Sequence, residues 1–200
     1  MPDGASVEPR RPGRPLDASL DERVLDATRR SLAELGWSGT TIRGVADRSG
    51  VSRPAIARRW PSKAHLVLEA ILGDAPDLEL FQGVDRAGWL RAVVDGSFEL
   101  FTRPEVVAAV PGLLSELGGH EDVRNLLWQS FSGPASDLLV EAEPTADGED
   151  RALDAQAMIA VAAGAALFAS LVVGSDQPEV TDRARDLTLA LLESRDAAAN

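Results

Sequence analysis

Between Arg53 and Lys63 the chain carries four cations, Arg53, Arg58, Arg59 and Lys63, and no acid. A guanidinium forks onto a phosphate, or pairs bidentately with guanine O6 and N7, where a good contact discriminates by about 1–3 kcal/mol. The chain as a whole is acidic, with 20 Lys and Arg against 32 Asp and Glu and a net charge of −12. That charge is unevenly spread. Through Gly73 there are twelve basic and nine acidic residues, whereas the remaining 127 residues hold eight and twenty-three. A weakly basic head on a strongly acidic body suits a head that binds a polyanion. Catalysis finds little material. With no Cys, no Tyr and two His, thiol nucleophiles and thiolate metal sites are excluded and acid–base chemistry is thin. No Gly-rich phosphate loop, Gly-x-Ser-x-Gly or His-Glu-x-x-His occurs, so no enzyme, cofactor or metal site is expected.

The elements that must hold those cations are legible from caps and punctuation. Ser19-Leu20-Asp21-Glu22 reads as a capping box opening a helix whose inner face is Val24, Leu25, Thr28, Leu32 and Leu35. Gly36 stands at its C′ position, and Trp37 is expected to staple the exit into the core. Thr40 or Thr41 caps a second helix through Arg48, with Ile42, Val45 and Ala46 inward and Gly50 ending it. Ser52 caps a third helix, Arg53 to Trp60, with Pro54 tolerated in the first turn. Pro61 stops that helix, and Ser62 caps a fourth running to Leu72. Two short helices about a tight Gly-containing turn form the arrangement that lays a recognition helix in the major groove of duplex DNA. Val51 and Ile56 would plug the gap between them, leaving Arg53, Ala55, Arg58 and Arg59 to project outward.

The body reads as further helices. After a Gly-, Pro- and Asp-punctuated stretch from Gly73 to Gly88, helices are expected over Trp89–Phe101, from Pro104 to near Pro111, and from His120 to Val140 with a bend at Gly133-Pro134. An acidic loop, Pro144–Asp150, leads to seventeen uncharged residues, Ala157–Val173. That run is at the lower limit for a bilayer span, but its flanks hold Asp154, Asp176 and Glu179, so it is read as a helix buried on all sides, with no membrane role. A final helix from Val180 to Ser194 would turn Leu187, Leu191 and Leu192 inward. No period-2 alternation appears, so the class is all-α. Residues 1–18, rich in Pro and Arg without an apolar run, read as a disordered basic arm rather than a secretory signal, and the chain as cytoplasmic. Residues 19–73 would form the head and 74–200 the body.

The stretch Thr40 to Leu72 resembles the N-terminal domain of the tetracycline-repressor (TetR) family of bacterial regulators. The resemblance is carried by Thr40-Thr41, Val45-Ala46, Ser49-Gly50-Val51-Ser52, Ile56, Trp60 and Pro61-Ser62-Lys63, and extends over residues 19–73. It implies a three-helix helix-turn-helix DNA-binding domain joined to a helical ligand-binding and dimerisation domain. The implied function is a ligand-responsive repressor that binds a pseudo-palindromic double-stranded operator as a homodimer. DNA contacts are then expected from Thr41, Ser52, Arg53, Ala55, Arg58, Arg59 and Lys63, with Thr41 and Lys63 on phosphates. Two residues depart from the family pattern. Ala57 stands where the family places Tyr, which removes a phosphate or thymine-methyl contact, and His65 stands where Glu would complete a capping box. Arg10 to Pro15 resembles an AT-hook core, which would lay Arg14 in the minor groove.

The Ala-rich helix and the Leu187–Leu192 helix would pair across a two-fold axis as half of a four-helix bundle. A lipophilic small-molecule effector, its identity open, would sit among Phe98, Phe101, Trp128, Phe131 and Met158. The alternative is a degenerate member that lacks specific DNA binding and acts as a protein-interaction or membrane-associated module.

Overall fold

A computed structural model describes residues 18–73, 81, 83–142, 148–174 and 176–199. Most of the expected basic arm, with Arg14, and most of the acidic loop lie outside the described residues. Among those described, every regular element is helical, in accord with the all-α expectation. The head comprises α1 (Ala18–Gly39), α2 (Ile42–Ser49), α3 (Arg53–Arg59) and α4 (Lys63–Leu72). Helix α1 begins one residue before Ser19, which lies in its first turn rather than at the cap. It breaks at Gly36, whose φ of 67° only glycine adopts freely, and then resumes for a single turn through Gly39. The broken turn throws Trp37 sideways, half-buried against the junction described below.

Helix α2 starts where Thr41 accepts a hydrogen bond from the Gly44 N–H at 3.0 Å. It ends at Gly50, in the left-handed conformation at φ 70°, whose N–H donates to the Ala46 carbonyl. A Cβ at Gly50 would touch nothing within 4 Å, so a side chain there costs backbone strain alone. Gly50→Ala is therefore expected to lower stability by about 1–2 kcal/mol in urea unfolding, with Gly50→Asn losing less. An unchanged midpoint for Gly50→Ala would mean that the turn relaxes to a negative φ.

Val51 and Ile56 fill the gap between α2 and α3, sharing one apolar core with Val24, Val45, Trp60 and Leu66. Trp60 closes α3, and its indole N–H donates to Glu69 Oε2 at 2.7 Å, which ties α3 to α4.

The body comprises α5 (Arg86–Leu100), α6 (Pro104–Leu117), α7 (Glu121–Phe131), α8 (Gly133–Ala142), α9 (Gly148–Phe168) and α10 (Pro178–Ala199); a π-helical turn, Ala169–Val173, extends α9. Two expectations need correction. Helix α6 does not stop near Pro111 but runs through it to Leu117. Pro111 and Val107 both lie on the exposed face, so the carbonyl that loses its i+4 donor points to water. The segment after His120 is two helices, not one bent helix, broken at Ser132, whose hydroxyl donates to the Trp128 carbonyl.

Trp89, Val94 and Phe98 of α5 form the body core with Met158 and Ala162 of α9 and Leu192 of α10. The Trp89 indole N–H is satisfied by the Ala135 carbonyl at 2.8 Å. A separate core joins head to body, with Leu32 of α1 and Val67, Leu68 and Ile71 of α4 against Val110 and Leu113 of α6.

The expectation that the Ala-rich helix is buried on all sides is not met within one chain. Only its inner stripe is covered, whereas Val161, Gly164, Phe168, Leu171 and Val172 are exposed along the other face. On α10 Leu192 points inward, but Leu187 is 55% and Leu191 is 69% exposed, contrary to the inward reading of all three. Helix Asp150–Val173 is the one described helix long and apolar enough to cross a membrane by length and composition alone.

Candidate nucleic-acid interface

Helix α3 stands on its apolar side. Ile56 and Val51 are buried, and Trp60 anchors the C-terminal end. Successive helical residues turn by about 100°, so anchoring Ile56 leaves Arg53, Pro54, Ala57 and Arg58 on the outer arc, where all four are exposed. Neither Arg53 nor Arg58 is ion-paired with an acid among the described residues. Ser52 is exposed at the N-cap, and its side chain makes no capping hydrogen bond.

Two expected outer residues are not outer. Ala55 is half-buried and packs against the head core. Arg59 forms a salt bridge with Asp21 of α1, with only 25% of its side chain exposed, and its guanidinium also lies 5.8 Å from the Trp60 ring centroid. The reason is helical phase, which turns positions 55 and 59 away from the outer arc and back towards the rest of the head. The sequence carried no local sign of this pair, because the two residues are far apart along the chain and each looks like an ordinary surface charge.

Thr41 is exposed, and while its oxygen caps α2 its hydroxyl proton stays available as a donor. Lys63 lies at the start of α4 with its ammonium on the Trp37 carbonyl at 2.9 Å and 4.0 Å from the Trp37 ring centroid. Burial there pushes its pKa below the usual lysine value, and the charge of Glu116 opposes that shift. Two of its three N–H donors remain for a phosphate. Ser62 accepts from the His65 N–H at 3.4 Å, so α4 is capped without a glutamate. The imidazole meets Ser62 Oγ at 2.9 Å through Nδ1 and Asp122 of α7 at 3.4 Å through Nε2.

The expected effector residues are only partly brought together. Phe98 and Met158 share the body core, and Phe101 lies between that core and the head–body junction. Trp128 is 45% exposed on α7 and does not join them, because α7 buries its Val123 side instead. The Phe131 side chain lies outside the described residues. Sequence reasoning also missed Gly112 of α6, which faces the Trp37 ring so closely that a Cβ there would overlap it.

Comparison with known proteins gives one family. The family model described as bacterial regulatory proteins, tetR family, matches residues 24–70. An uncharacterised HTH-type transcriptional regulator of Bacillus subtilis, YdeS, is 32% identical over 65 residues, which is 32% of this chain and 33% of that protein. Another from Mycobacterium tuberculosis is 40% identical over 63 residues, covering 30% of this chain and 31% of its own length. The aligned stretch thus spans about a third of the curated relatives it matches. The crystal structure of a TetR transcriptional regulator from a Rhodococcus species superposes with a TM-score of 0.63 at 17% identity, covering 87% of this chain and 95% of that one. At that identity the likeness is one of fold, and it extends through the body.

Proposed function

This chain belongs to the tetR family of bacterial regulatory proteins through its head domain, and on that premise we propose a dimeric, ligand-responsive repressor that binds a pseudo-palindromic duplex in the cytoplasm. The observation that carries this reading is the outer arc of α3. Two exposed arginines, free of described acids, stand on a helix fixed from behind by Ile56, Val51 and Trp60. Thr41, Ser52 and Lys63 flank that arc with donors suited to phosphates, which set register while the helix reads base edges. Arg59 and Ala55 are left out of this set.

A dimer is supported by the bare apolar stripes on α9 and α10. Val161, Phe168, Val172, Leu187 and Leu191 are all exposed in the single chain, and the alanines with Gly164 admit a close second helix. Apolar stripes of this extent mark an interface more often than they face water. Two copies related by a two-fold axis would carry two α3 helices to two half-sites. The effector is a lipophilic small molecule placed against Phe98, Met158 and Phe101. Phe101 touches both the body core and the junction core, so a molecule pressing on it would be felt where α6 meets α1 and α4.

In-vitro selection from a random duplex pool at about 150 mM salt tests the DNA reading, and an inverted repeat is the expected product. Binding to that repeat should weaken by about 10³–10⁵ between 50 and 200 mM salt if 6–10 phosphates are contacted. A pool that enriches no sequence at that salt, or when the selection is repeated at low salt, would overturn the repressor and leave the protein-interaction or membrane-associated module.

A further inference from the structure

Resting on the DNA-binding reading, we infer that each half-site is read at two guanines by Arg53 and Arg58 alone, on either side of a thymine whose methyl group meets Ala57. The argument is one of helical phase and of what each side chain is already doing. With Arg53 set at 0°, Ala57 falls near 40°, Pro54 near 100° and Arg58 near 140° around the axis. All four are exposed, while Ala55, Ile56 and Arg59 fall on the opposite arc and are covered or half-covered. The middle of the DNA-facing arc is therefore Pro54 and Ala57, two short side chains without a donor. Nothing long holds the helix off the base edges there, and the only major-groove feature such a surface rewards is the thymine C5-methyl group.

Hydrogen-bond readout then falls to the two edges of the arc. Arg53 and Arg58 are five residues apart, a rise of about 7.5 Å, which matches two to three base-pair steps of about 3.4 Å. Arginine pairs bidentately with guanine O6 and N7, so both edges select guanine. Arg59 is withheld from readout because the Asp21 carboxylate neutralises it and the contact turns it towards α1. Its place is structural.

The experiment is selection and sequencing of bound duplexes with the wild-type chain and with Arg53→Ala, Arg58→Ala and Arg59→Ala. The expected wild-type product is an inverted repeat with two G·C pairs per half-site, two to three steps apart. Arg53→Ala should relax one of these and Arg58→Ala the other, each by roughly 5- to 150-fold in base preference. Arg59→Ala should relax neither while lowering the melting temperature. Replacing the intervening dT by deoxyuridine should weaken the wild type, and Ala57→Gly should bind the two duplexes equally.

If Arg59→Ala relaxes a position, or neither other arginine variant does, the assignment is overturned while the repressor stands. Equal wild-type affinity for the thymine and deoxyuridine duplexes overturns the Ala57 contact. Failure of the wild type to enrich any repeat overturns the DNA-binding reading itself.

Discussion

Phe168→Asp combined with Leu191→Asp is expected to turn the protein into a folded monomer that no longer holds an inverted-repeat duplex. Phe168 is 63% and Leu191 is 69% exposed in the single chain, so neither change opens a cavity in the chain's own core. Helical circular dichroism should stay near wild type, while the unfolding midpoint should drop by what the partner subunit contributes and no longer depend on protein concentration. In a two-fold interface each substitution appears twice, which places four carboxylates where the bundle would close. Leaving a charge unpaired in a buried interface costs several kcal/mol per ion. That outweighs the roughly 1.5–3 kcal/mol gained by burying each large apolar side chain. Sedimentation velocity at micromolar protein should show one species at monomer mass. Affinity for the inverted repeat should fall by about 10²–10⁴, because the second half-site is no longer tethered to the first. Leu114→Asp on α6, also an exposed leucine but outside α9 and α10, should stay dimeric. If the double variant remains a dimer with full affinity, the interface lies elsewhere on the body.

What could be foreseen of the fold follows a physical division. The head was legible because its signals are local. Thr41, Gly50, Pro54 and Ser62 each act on backbone groups within four residues, and the structure has the helix boundaries they imply to within about a residue. Pro111 reads in the sequence as a stop, whereas an exposed helix face can solvate the carbonyl that a proline frees, and α6 continues.

The Ala-rich run is a different case. Its composition says that another helix comes close, but it does not say whether that helix belongs to the same chain. Arg59 shows the same limit at the candidate site. Helical phase counted from Ile56 separates it from Arg58, but only the distant Asp21 explains why it is paired. Periodicity assigns a face to each residue; it does not assign the partner.

Gly112→Ala is the other substitution with a large expected effect, and it acts at a place that local pattern could not reach. The methyl group would overlap the Trp37 indole, whose ring also faces the Lys63 ammonium. Trp37 and Lys63 belong to the head and Gly112 to the body, so one ring is shared across the junction. Either the indole swings away and loses the cation–π contact, or α6 lifts from α1 and loosens the Leu32, Val110 and Leu113 core. Overpacking of this kind costs about 1–3 kcal/mol, which a urea titration resolves. Because Lys63 is also a proposed phosphate contact, affinity for the selected duplex should change along with stability.

The decisive comparison is with Trp37→Leu, alone and combined with Gly112→Ala. The smaller side chain makes room for the methyl group, so the combined loss of stability should fall well short of the sum of the single losses. Simple additivity would show that the ring is not what Gly112 accommodates. Duplex affinity of the pair then separates two roles of the junction. If Trp37→Leu weakens binding while Gly112→Ala adds nothing further, the indole acts by holding Lys63 at the duplex. If Gly112→Ala still weakens binding in the Trp37→Leu background, the seat of α6 on α1 acts as well, and that seat is the route by which a molecule against Phe101 would reach the recognition helix.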